Sequence, residues 1–336
     1  MAHSETWHTV ADGEMGPSDP LEYGKHIDGV ELPSTVLTFV DRYDRVIGER
    51  DRYLWKWIHN LFEEFTLPCV STETLNDVYE TKTLLTVFVT VLDDLAELSD
   101  DRSTFDLARH IPSGTADVAA STDRPGVDTD TIDFLVDLWA EIEAALRESP
   151  RYGEFADVFE YDMRQTCNAM EYSRLLNQNA SMANRTEAER YDAYNMAVFP
   201  YACIDLMHSP SFDRSELGAL RSLLCELQQM ARIGNWITTW ERELAEGDIS
   251  SGVVVCALRR GVILPEELDG PDRPSADQLV DRIESHSIVS EFVREWEIRN
   301  KTVRKRTAEI RSVDCDGVVD GFQTVMNHHL ASEGSK

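Results

Sequence analysis

Apolar residues recur every three or four positions along most of the chain, and runs that alternate every second residue are scarce, which predicts helices throughout. The first periodic segment starts at Ser34 and carries Val36, Leu37, Val40, Tyr43 and Val46; further segments cover 52–65, 72–98, 131–146, 155–176, 187–207, 215–244, 277–310 and 318–330. Two stretches rich in Pro, Ser, Gly, Thr and Asp, at 111–130 and 265–275, read as surface loops. No internal repeat, heptad array or shift in composition demands a domain boundary. The reading is an all-α, single-domain bundle over 34–330. A polar N-terminal segment, 1–33, is expected to be flexible or to form a lid, and 331–336 is a short tail.

Pro200 interrupts one of these patterns. Proline has no N–H and clashes with the carbonyl four residues back, so the helix is expected to break there and to free the carbonyl of Met196.

Charge narrows the partners. The 336 residues carry a formal net charge of −30, and lysine occurs only at 25, 56, 82, 301, 305 and 336. A nucleic-acid binder needs a basic face, so that class is excluded. An anionic ligand would have to be drawn in by local arginines and metal ions, against the global field. Adaptation to a high-salt cytoplasm and an arginine-rich coding bias both account for the composition. No segment has the apolar length of a membrane span, and residues 1–33 lack the basic start and apolar run of a signal peptide. A cytoplasmic protein without stable membrane insertion is expected. The six cysteines form no C-x-x-C pair and read as thiols in a reducing compartment.

Two acidic clusters carry the candidate chemistry. Asp93 and Glu97 share a helical face, with Asp94 turned by about 100°, and the preceding run 83–92 is uncharged, so these carboxylates end a buried helix. In the second cluster, Asn235, Thr239 and Glu243 fall at about 0°, 40° and 80° on one face, with Arg242 beside the last. Amide, hydroxyl and carboxylate oxygens suit a hard divalent cation such as Mg²⁺. Buried carboxylates are costly unless a cation satisfies them. A solvated acidic face is the plainer reading of the first cluster, and a polar helical stripe of the second.

Together the clusters resemble the class I terpene synthases, in particular the microbial terpene cyclases. Asp93, Asp94 and Glu97 match their D-D-x-x-D/E motif. Asn235, Thr239, Arg242 and Glu243 match N-D-x-x-S/T-x-x-x-E, with Trp236 in place of the usual Asp, and Ala245-Glu246-Gly247-Asp248 resembles the stretch that follows. The resemblance implies a helical bundle around a central apolar cavity. It implies Mg²⁺, three ions, held by Asp93, Asp94, Glu97, Asn235, Thr239 and Glu243, with Asp93 and Arg242 as the catalytic residues. Arg190, 45 residues before Asn235, is the candidate diphosphate sensor, although small residues do not follow it. The C-terminal Arg-Tyr pair of the family is not evident, and Arg299, Arg304 or Arg306 would supply charge instead.

The activity implied is Mg-dependent ionisation and cyclisation of farnesyl or geranylgeranyl diphosphate to a cyclic hydrocarbon or alcohol. Phe88, Phe199 and Trp236 are the aromatic substrate contacts expected nearest the motifs, together with Tyr201 and Trp240; Tyr79, Trp55 and Trp296 are more distant. Core packing is the alternative for each. A chain-elongating prenyl diphosphate synthase would show a second Asp-rich cluster where Asn235, Thr239 and Glu243 stand. A non-catalytic isoprenoid-binding or interaction protein would retain the motifs only as acidic surface. The oligomeric state stays open, a homodimer included.

Overall fold

The uncharged run 83–92 explains the middle of the molecule, because a helix with apolar and threonine side chains on every face is stable only when surrounded. The computed structural model describes residues 25–97, 101–114, 125–268 and 273–331, without the side chains of Glu97 and Ala331. Its helices are α1 (Ser34–Val46), α2 (Arg52–Phe65), α3 (Leu75–Glu97), α4 (Arg102–Ala108), α5 (Thr129–Glu148), α6 (Tyr152–Gln178) and α7 (Arg185–Arg190). They continue with α8 (Val198–Met207), α9 (Leu217–Glu246), α10 (Gly252–Arg259), α11 (Ala276–Glu284), α12 (Ile288–Val303) and α13 (Cys315–Ala331). No strand occurs among the described residues, so the all-α expectation holds. No described helix is long and apolar enough to cross a membrane.

Five of these helices close a ring. α2 packs on α3, α3 on α8, α8 on α9, α9 on α13, and α13 back on α2. Around the ring, α1 and α5 cover α3, α6 backs α3 and α8, and α12 covers α9. This outer layer is why α3 can be apolar on all sides. The return from α13 to α2 depends on Gly321, where a Cβ would lie 1.7 Å from the carbonyl oxygen of Glu64. Only a residue without a side chain permits that approach.

A buried ion pair ties three ring helices together. Lys82 on α3, 0% exposed, sets its Nζ 2.6 Å from Asp205 Oδ1 on α8 and donates to Thr66 Oγ1, just after α2, at 2.7 Å. Asp205 Oδ2 accepts the backbone N–H of Leu67 at 3.1 Å. Burial lowers the Lys82 pKa and raises that of Asp205 to about 6, while the attraction between the partners opposes both shifts. Removing one partner of such a pair costs about 3–5 kcal/mol. We therefore expect Lys82→Met to lose that much stability in urea unfolding. The loss is expected to be smaller at pH 5 than at pH 8, because a protonated Asp205 no longer buries an unpaired charge.

The structure divides two of the expected helices. The pattern over 187–207 becomes α7, a 3₁₀ turn (Asp192–Met196), Ala197 in the left-handed region at φ 50°, and then α8. The break thus falls three residues before Pro200, which sits in the first turn of α8, where an N–H has no intrahelical partner to lose. The pattern over 277–310 splits at Ser287, φ 56°, into α11 and α12. The short helices α4 and α10 are not predicted by the pattern; at 7 and 8 residues they are too brief for a period to show.

The expected boundary at Ser34 falls inside the packed body. Ile27 and Leu32 are buried, and Lys56 Nζ donates to the carbonyl of Asp28 at 2.6 Å. The rest of the expected lid, 1–24, lies outside the described residues, as do 115–124 and 269–272 of the two loops and 332–336 of the tail. All six cysteines are free thiols.

Candidate active site

The five-helix ring encloses a cavity of about 300 Å³. Most of its wall is apolar, with Leu61, Phe62 and Phe65 from α2, Val198 from α8, and Phe322 and Val325 from α13. Its rim is polar and is built from Asp93 on α3, Asn195 in the 3₁₀ turn, Arg232, Asn235, Thr239 and Arg242 on α9, and Arg50 before α2. The two acidic clusters therefore face each other across the ring through Asp93 and the polar face of α9.

Asp93 Oδ1 accepts a hydrogen bond from Asn195 Nδ2 at 3.0 Å. Burial is the main cause that lifts its pKa to about 6; Asp94 and Asp248 push the same way, and Asn195 and Arg232 resist. Glu243 lies one turn beyond Thr239, and its Oε2 is buried without a hydrogen-bond partner among the described residues. Its pKa rises to about 7, first through burial and then through Asp248, against the pull of Arg232, Thr239 and Arg242. The Thr239 hydroxyl donates to the backbone carbonyl of Asn235 at 2.7 Å, which leaves its lone pairs open to a cation.

Asp94 does not join this group. Its Oδ2 accepts from the Tyr43 hydroxyl at 2.5 Å, and its Oδ1 from Arg50. Glu97 ends α3, and its side chain lies outside the described part.

Arg190 is not brought to the cavity; it is exposed in the last turn of α7. Three arginines stand at the rim, Arg50, Arg232 and Arg242, and sequence reasoning missed the first two; Arg232 is 5% exposed. It donates through Nε and Nη2 to the two oxygens of Asp192, at 2.6 and 2.9 Å, and through Nη1 to Asn235 Oδ1 at 2.5 Å. Asp192 also accepts from the indole Nε1 of Trp236 at 3.0 Å and from Ser173 Oγ at 3.2 Å. One signal was available: Arg232 stands one turn before Asn235 on the same face, in a stretch with no other charge between Leu227 and Trp240. Asp192 and Asn195 had none, since their role depends on where the chain breaks.

The expected aromatic contacts also move. Phe88 packs on Trp139, with ring centroids 5.1 Å apart, and Phe199 stacks on Tyr194 at 5.7 Å; neither lines the cavity. Trp236 lies outside the cavity lining, against Phe292, and Gly252 makes room for it: a Cβ there would meet the indole at 2.5 Å. Among the expected aromatics only Tyr201 reaches the wall, where it joins Trp57, Phe62, Phe65 and Phe322. The helical period marks an apolar face without saying whether a neighbour or a void lies opposite.

The donor set fits a hard divalent cation. Asp93 has a carboxylate oxygen beyond the one bound to Asn195, Glu243 has an orphaned buried one, and Thr239 and Asn235 add neutral oxygens. Among the described residues no three His, Cys, Asp or Glu side chains form a ready cage, so ligand oxygens would have to complete the coordination.

The raised carboxyls set a direction for pH. A carboxyl whose folded pKa exceeds its unfolded value lowers stability as it ionises. The stability of the neutral form is present below about pH 4 and is lost as pH rises through the folded values near 6 and 7. In metal-free protein, Glu243→Gln should therefore gain melting temperature relative to the parent as pH goes from 5 to 8. A constant difference across that range would contradict the assignment.

No protein-family model and no curated protein matches the sequence. The fold is that of the class I terpene synthases. The chain is similar to the linalool/nerolidol synthase of Streptomyces clavuligerus, solved in complex with 2-fluorogeranyl diphosphate, with TM-score 0.53 and 13% identity over 94% of this chain and 99% of that one. It is similar also to a single-residue variant of cucumene synthase, with TM-score 0.50 and 13% identity over 91% of this chain and 100% of that one.

Proposed function

We propose that the protein ionises an allylic prenyl diphosphate, cyclises the resulting cation and releases diphosphate. The observation that carries this reading is the joining of two motifs at one rim. Asp93 from α3 and the Asn235, Thr239 and Arg242 face of α9 border the same cavity, whose remaining wall is mostly apolar. Such a division suits a ligand with a charged head and a hydrocarbon tail.

Mg²⁺ bound at the rim would neutralise the diphosphate and act as a Lewis acid on the departing oxygen. Asp93 and Glu243 would hold it, with Asn235 and Thr239 beside them. Arg232 and Arg242 bring positive charge to the rim for phosphate oxygens, and local cations of this kind are needed in a chain of net charge −30. Asp192 holds the Arg232 guanidinium by two bonds, so the cation is oriented before the ligand arrives.

The apolar wall then confines the cation. Ring faces of Phe62, Phe65, Trp57 and Phe322 stabilise positive charge by about 0.5–2 kcal/mol each. Of the hydroxyls on the wall, Thr86 and Tyr201 share a hydrogen bond of 2.7 Å, and Thr86 also donates to the carbonyl of Lys82 at 2.8 Å; Thr90 and His329 line the wall as well. A cavity near 300 Å³ lies at the small end of ligand pockets, which favours farnesyl over geranylgeranyl diphosphate.

The test is incubation with each diphosphate, with and without Mg²⁺, followed by gas chromatography and mass spectrometry of the extract. A cyclic terpene from farnesyl diphosphate, formed only with Mg²⁺, is the expected result. No release of diphosphate from either substrate, at low or high salt, would overturn the proposal.

A further inference from the structure

The side chains around Asp94 form a closed cycle that the proposed mechanism does not use. Arg50 Nη2 donates to Asp94 Oδ1, Arg50 Nε donates to the Tyr43 hydroxyl oxygen at 2.7 Å, and the Tyr43 hydroxyl donates to Asp94 Oδ2 at 2.5 Å. Tyr43 is 1% exposed and packs edge-on against Trp55 at 5.3 Å. Burial and the adjoining carboxylate hold its hydroxyl protonated, so it stays a donor to Asp94.

Proton accounting decides what the cycle leaves over. Each Asp94 oxygen accepts one hydrogen bond, and the single Tyr43 proton is spent. Arg50 uses two of its five N–H groups, and its Nη1 has no hydrogen-bond partner among the described residues. Yet Arg50 lines the same cavity as Asp93, Arg232 and Arg242. A guanidinium gripped on one edge, with the other edge unengaged beside a cavity, has the geometry of an anion clamp.

Adjacent residues on a helix point about 100° apart, so Asp93 and Asp94 are directed to different neighbours. Asp93 meets Asn195 across the cavity rim, whereas Asp94 meets Tyr43 on α1. Moving Asp94 onto a metal would break two charge-assisted hydrogen bonds and strip Arg50 of its anchor. We propose that Arg50 binds a phosphate group of the ligand and that Asp94 is its positioning residue rather than a metal ligand. This rests on the cavity taking a diphosphate, as proposed above.

The test uses the full chain with Mg²⁺ and inorganic diphosphate in calorimetry, together with electron paramagnetic resonance of Mn²⁺ at saturating diphosphate. Arg50→Met should weaken diphosphate binding by about tenfold and leave the Mn²⁺ count unchanged. Asp94→Asn should do the same, and the double variant should be no weaker than either single one, because the two residues act as one unit. Tyr43→Phe, which keeps the ion pair, should lose less.

A reduced Mn²⁺ count in Asp94→Asn alone would overturn the proposal, since it would make Asp94 a ligand. Parental diphosphate affinity in Arg50→Met would overturn it too, while leaving the proposed function standing. Failure of the parent protein to bind diphosphate with Mg²⁺ would overturn both.

Discussion

Asp93→Asn should lower turnover of farnesyl diphosphate by about 10³-fold, equivalent to about 4 kcal/mol of barrier, with the helical circular dichroism and melting profile retained. The change removes one charge and leaves an amide of the same shape, and Asn195 remains opposite to bond it. The folded protein loses little, because Asp93 is a carboxylate whose ionisation burial opposes. The effect is therefore expected in kcat, with a parallel loss in the binding of Mn²⁺ followed by paramagnetic resonance. Unchanged turnover would remove Asp93 from the chemistry and reduce its cluster to an acidic helix end.

Arg232→Met should cost about 10²–10³-fold in turnover, the loss typical of one preorganised donor to developing negative charge. Asp192→Asn should cost about 10–100-fold, because Asp192 touches no ligand and acts through the guanidinium that it orients. The two defects should differ in kind. Loss of Arg232 should weaken diphosphate binding, whereas Asp192→Asn keeps the charge and should misdirect it, so that kcat falls more than KM rises. Arg232→Lys should rescue little, since a single ammonium cannot make the fork to Asp192 and reach Asn235 as well. If Arg190→Met were the more damaging change, the exposed position of Arg190 would have to be abandoned on closure of the site.

The helical class was legible because period, length and the scarcity of alternating runs all agree. The separation of the motifs was legible too, as was the shared face of Asn235, Thr239 and Glu243, since one helix carries all three. The aromatic contacts were not. Phe88 and Phe62 both lie on strongly apolar helical faces, and nothing in either sequence window tells that one meets Trp139 and the other a cavity.

What the sequence by itself determined is local: which segments are helices, that the run 83–92 must be buried, and which oxygens share a face of α9. The tertiary structure alone decided that Arg50 and Arg232 join Arg242 at the rim: Arg232 is placed by Asp192, a partner 40 positions away in the 3₁₀ turn that ends at Ala197. It alone divided Asp93 from Asp94, since adjacent residues on α3 face different helices. Periodicity is a property of one helix, whereas a cavity and its charges are set by how several pack, and that information is spread across positions far apart in the chain.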